Sequence, residues 1–113
     1  MKQAAYYVPD LFFSPRIADT LKHLDFAARE IAQPDAVAGN ALLIVQLDGP
    51  RERWLALITA AKVAGVPVLA FGRHTDAETL RAARQAGADK VVPNSQLVTE
   101  MPELVAALVK STP

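Results

Sequence analysis

At 113 residues the chain has the length of one compact domain, and residues 1–113 are read as a single unit able to bury an ordinary hydrophobic core. Its 12 basic and 12 acidic residues balance, and no run of Lys or Arg occurs, which argues against nucleic acid as a partner. The absence of Cys excludes disulfides and thiolate chemistry, and two histidines, His23 and His74, are too few for a multi-histidine metal site.

The first predicted strand is Ala4 to Val8, a short apolar run. Ser14 followed by Pro15 reads as an N-cap with proline at the first helical position, and Ile17, Leu21 and Leu24 then make one buried stripe. Asp25 to Ile31 alternates less cleanly and suits an edge strand. Gln33 to Asn40 carries a proline and a glycine, leaving room for one or two helical turns. Ala41 to Leu47 is a nearly continuous apolar run, as a strand buried on both faces requires. A helix is predicted over Arg51 to Ala64, stopped by Gly65, followed by a strand over Val66 to Phe71. Thr75 and Glu78 have the spacing of a capping box, which opens a helix ending at Gly87. Lys90 to Pro93 is the fifth strand, and the last helix is predicted from Met101 to Lys110. No run has the length of a signal peptide's apolar core or of a membrane span, so a cytoplasmic protein without membrane contact is expected.

This alternation points to an α/β sheet with helices on both faces. Five such units in 113 residues have the size of, and resemble, a flavodoxin-like (βα)5 doubly wound parallel sheet, which implies strand order 2-1-3-4-5, here with a short second helix. Three segments resemble response-regulator receiver domains. Leu43 to Pro50 (LIVQLDGP) is similar to their third strand and following loop, and Pro67 to His74 (PVLAFGRH) to their fourth strand and switch loop. Ala86 to Ser95 (AGADKVVPNS) is similar to their Ala-Gly-Ala-Asp turn, fifth strand and lysine-proline corner.

The resemblance implies a pocket at the carboxyl ends of the strands. There, receivers hold magnesium with an acidic pair and a phosphoacceptor aspartate, and bind the phosphoryl group with a Thr or Ser and a Lys. Matched position by position, this chain offers Asp10 beside Leu11 for the acidic pair, Gln46 for the phosphoacceptor, Gly72 for the hydroxyl and Asn94 for the lysine. A neutral amide is a poor nucleophile, and one carboxylate is a weak magnesium site. The expected module is therefore a degenerate receiver without cofactor, metal or catalytic residue, working as a stand-alone protein-interaction or signalling-regulatory unit. By the same resemblance, its partner face comprises Arg73, His74, Arg84, Lys90 and Gln96 onward, on the helix before the fifth strand, that strand and the last helix. The partner is a protein, such as a signalling protein, and a homodimer is an open option.

Individual residues admit simpler readings. Asp10 is either a relic metal ligand or a polar cap for its loop, and Gln46 either bonds Asp10 across the strand ends or is solvated. Trp54 is either an exposed anchor or packed on the sheet. Phe12 and Phe13 are expected to fill the space left by the missing acids, and Asp48 to point out of the pocket or into the loop above it. Arg81 and Arg84 are expected to pair with Asp76 and Glu78 along one helix surface. The alternative function is a small-ligand or nucleotide-binding flavodoxin-like module, opened at the rim by Gly49 and Gly72. Against it, the loop Pro9 to Phe13 contains no glycine for a phosphate-binding turn.

Overall fold

A computed structural model describes residues 1–110. Five parallel strands, β1 (Lys2–Tyr7), β2 (Phe26–Glu30), β3 (Leu42–Gln46), β4 (Val68–Gly72) and β5 (Lys90–Pro93), lie in the order β2-β1-β3-β4-β5. Among the described residues three helices connect strands, α1 (Ser14–His23), α2 (Arg51–Ala64) and α3 (Ala77–Ala86), and α4 (Asn94–Lys110) follows β5. Between β2 and β3 there is one 3-10 turn, Pro34–Ala36, in place of a full helix.

The pattern of β3 explains the two-layer cover. Leu42 and Ile44 project to the α1 and α4 side, while Leu43 and Val45 project to the α2 and α3 side, and all four are fully buried. Trp54, Leu57, Ile58 and Ala61 turn one stripe of α2 onto the second side. Trp54 is 2% exposed, so it belongs to the core and is not a surface anchor. Ile17 and Leu21 of α1, with Leu97, Met101, Leu104 and Val105 of α4, close the first side.

Several helix boundaries differ from the sequence expectation, each for a local reason. The N-cap of α1 is Phe13, and Ser14 is already helical; no side chain caps it, and the Phe13 and Ser14 N–H groups instead donate to the Asp10 carbonyl. Asp76, not Thr75, caps α3 by accepting the Thr79 N–H at 3.2 Å. Glu78 is thereby free of a capping role and reaches across to Arg51 of α2 at 3.7 Å. That is the only ion pair among the described residues, and Arg81 and Arg84 do not pair with Asp76 or Glu78. The final helix begins at Asn94, seven residues before the expected Met101, and bends at Glu100 (φ −124°, ψ 15°). Pro102 has no N–H for the Val98 carbonyl, and its ring is tolerated only in a first helical turn, so the chain starts a second helical segment there. Among the described residues no helix is long and apolar enough to cross a membrane.

Candidate functional site

Parallel strands all end on one edge of the sheet, so the residues that follow β1, β3, β4 and β5 meet there. The structure gathers Asp10, Gln46, Gly72 and Asn94 around a cavity of about 50 Å³, with Phe13, Leu47, Asp48 and Arg73 completing the wall. Leu11 is not part of it. It is 85% exposed, because the turn after Asp10 directs it outward, and its place in the predicted pocket is corrected accordingly.

Gln46 ends β3 and is 4% exposed. Its Oε1 accepts the Asp10 N–H at 3.0 Å, so the two strand ends are tied together through side chain and backbone. The Asp10 carboxylate turns the other way along its own loop, where Oδ1 accepts the Phe12 N–H at 2.7 Å. Both groups at the centre of the rim thus serve as local structural partners. Asp48 does the same one step further on: its Oδ1 accepts the Gly49 N–H at 2.9 Å and its residue is exposed, although it borders the cavity.

Only one of the two aromatics fills the rim as expected. Phe13 is half-buried and meets Phe71 edge to face, with ring centroids 5.6 Å apart. Phe12 stands outside, 63% exposed, with the Arg16 guanidinium 4.9 Å from its ring centroid.

At Gly72 a Cβ would lie 3.3 Å from both Leu47 Cβ and Leu80 Cδ2. The space beside β4's end is therefore occupied by aliphatic side chains, and a Thr or Ser fits there only if those side chains move. Leu47 and Leu80 were not singled out from the sequence; the apolar run through Leu47 was the available signal. Asn94, half-buried at the start of α4, leaves its Oδ1 buried without a hydrogen-bond partner.

The donor set suits magnesium poorly. Among the described residues no cluster of three or more His, Asp or Glu could hold a metal, and the Gln46 oxygen is already engaged. The cavity is likewise far below the several hundred Å³ of a typical ligand pocket.

The predicted interaction residues lie elsewhere. Arg73, His74, Arg84 and Lys90 are exposed and Gln96 is half-buried, spread over the β4–α3 loop, α3, β5 and the first turn of α4. His23 is also on the surface, with Nδ1 2.8 Å from the Asp19 carbonyl.

No protein-family model matches the chain, and no curated protein matches it in sequence. Solved structures do match in shape. The receiver domain of NtrX from Brucella abortus superposes with a TM-score of 0.81 at 17% identity, over 97% of this chain and 100% of that one. Against a longer NtrX chain from the same organism the coverage is 98% of this chain but only 27% of the other. A response regulator from Burkholderia multivorans gives a TM-score of 0.72 at 22% identity, covering 100% and 97%. FixJ-N gives a TM-score of 0.79 at 17% identity, covering 97% and 94%. At these identities the likeness establishes the fold: the chain has the receiver-type, flavodoxin-like architecture, and the structures it resembles are response-regulator receiver domains.

Proposed function

We propose that this chain is a pseudo-receiver, a signalling module of receiver fold that binds a protein partner and is not switched by aspartyl phosphate. The observation that carries this reading is Gln46. The residue at the carboxyl end of the central strand is a neutral amide, buried, and spent on the Asp10 N–H at 3.0 Å. A nucleophile there must be an ionised carboxylate with an open approach, and Gln46 supplies neither. The aliphatic filling around Gly72 and the neutral Asn94 support the same reading, since a phosphoryl group would find no hydroxyl and no lysine.

The partner face in this reading is formed by Arg73, His74, Arg84, Lys90 and Gln96. Four of the five are exposed, and three are formally cationic, which favours an acidic protein surface. The nucleotide-binding alternative is disfavoured by the cavity of about 50 Å³, which has room for little more than water.

The test is incubation with acetyl phosphate and magnesium followed by intact mass measurement. The expected spectrum shows the unmodified chain alone. A stoichiometric, hydroxylamine-sensitive phosphoryl adduct would overturn the reading.

A further inference from the structure

Between α1 and α4 lies a hollow of about 450 Å³, the size of a small-molecule site, against about 50 Å³ at the rim. Its floor is apolar: Ile17 of α1 with Leu97 and Met101 of α4, each at most 4% exposed. Pro102, just past the bend at Glu100, stands in its wall. Met101 adds an unbranched side chain able to follow the outline of a guest.

The α1 wall of the same hollow carries two opposite charges. Arg16 and Asp19 are both exposed and stand one helical turn apart. Among the described residues neither is in an ion pair, with the other or with any third residue. The Arg16 guanidinium lies 4.9 Å from the Phe12 ring centroid, so its fork of N–H donors has no carboxylate partner.

Helix stability does not account for this placement. Arg16 occupies the first turn of α1, where the positive end of the helix dipole favours acids, and that turn has none. A basic residue three positions before an acidic one is also the weaker order for a helical charge pair.

An apolar floor bordered by one cation and one anion selects its guest by charge. A simple carboxylate meets the like charge of Asp19, and a simple amine meets that of Arg16. A zwitterion with an apolar body meets both walls and the floor together. In an α-amino acid, one carbon carries the carboxylate, the ammonium and the side chain. The planar Arg16 fork matches that carboxylate in a two-point contact.

We propose that the α1–α4 hollow binds a free α-amino acid with a large apolar side chain, its carboxylate on Arg16, its ammonium on Asp19 and its side chain over Ile17, Leu97 and Met101. Phe13 borders both this hollow and the rim cavity, and its ring meets Phe71 edge to face. An occupant of the hollow therefore touches the rim through Phe13, an input that needs no phosphoryl group. Binding at this site does not depend on the phosphorylation reading.

An amide NMR titration of the full chain with L-phenylalanine and with L-leucine tests it. The expected result is saturable shifts at Ile17, Thr20, Leu97, Thr99 and Met101, with half-saturation on the order of 1 mM. Phenylacetate and phenethylamine, each lacking one charge of the zwitterion, bind at least about threefold more weakly than L-phenylalanine. Arg16→Gln and Asp19→Asn each weaken L-phenylalanine about three- to fivefold, and Asp19→Asn removes its advantage over phenylacetate. Both positions are exposed, and circular dichroism should report unchanged folding. No saturable shift with either amino acid overturns the proposal. So does phenylacetate or phenethylamine binding the original chain as tightly as L-phenylalanine, affinity indifferent to both variants, or shifts confined to Asp10, Gln46, Gly72 and Asn94.

Discussion

The body of the sheet and its carboxyl-end rim obey different rules, and β3 passes from one to the other within five residues. Leu42 to Val45 are fully buried, alternate between two apolar layers, and gain their stability from close packing. Gln46, the next residue, is almost as deeply buried but polar, and is kept there by one hydrogen bond. The body is generic: any apolar set of similar volume and period would build it. The rim is particular. Its Asp10, Gln46 and Asp48 side chains bond to nearby backbone, and Phe13, Leu47 and Leu80 fill the space beside them. At this rim the two carboxylates, Asp10 and Asp48, each accept a backbone N–H of their own loop.

Substitutions should separate the two regions by the size of their effect. Trp54→Ala, in the body, removes the largest fully buried side chain and should cost about 3–5 kcal/mol in urea denaturation. A loss below about 1 kcal/mol would mean that the α2 side is packed far more loosely than the geometry indicates.

Gly72→Thr tests whether the rim is truly filled. Its Cβ would stand 3.3 Å from Leu47 and Leu80, so overpacking should destabilise by about 1–3 kcal/mol. A neutral or stabilising result would show that the rim still has room for the hydroxyl that receivers place there. Gln46→Ala should cost about 1 kcal/mol by releasing the Asp10 N–H, with chemical-shift changes concentrated in the loop from Asp10 to Phe13. Shifts spread over the whole sheet instead would contradict a local tie.

The smallest effect concerns a surface cap. The Thr79 hydrogen bonds hold the Asp76 carboxyl below its ordinary value, with nearby Arg51 and Arg73 adding to the shift. A depressed carboxylate stabilises the fold above its unfolded-state pKa, and the contribution is lost as pH falls through the folded value. Asp76→Ala should therefore lower Tm slightly at neutral pH and make no difference in strong acid. An equal gap in Tm at both pH values would assign the effect to something other than the charged cap.

The body was legible because burial on both faces leaves a simple trace. ALLIVQL and VPVLAF are continuous apolar runs, and glycines 65 and 87 end the helices before the next strands, each at positive φ. The alternation indicates an α/β sheet, and the strand order comes with the flavodoxin-like resemblance. The beginning of α4 was not legible, because Asn94 to Glu100 offers only Leu97 and Val98 as apolar residues, and Pro102 mimics a helix start. The rim was legible in its membership but not in its geometry. Position by position, Asp10, Gln46, Gly72 and Asn94 were brought together, yet Leu11 sits next to Asp10 and points away. Direction in an irregular loop depends on its turn, and the hydrogen bond between the Asp10 carboxylate and the Phe12 N–H has no periodicity to announce it. That Gln46 would use its oxygen on Asp10's backbone was one of two open readings; only the structure chooses between them.

The central claim is that the rim is closed to phosphoryl chemistry. The most direct measurement is a two-dimensional amide NMR titration of the full chain with beryllofluoride and magnesium, which mimic the aspartyl phosphate of a working receiver. The account predicts that the resonances of Asp10, Gln46, Gly72 and Asn94 stay where they are at saturating additive. Saturable shifts at those four positions, spreading to Arg73, His74 and α4, would contradict it.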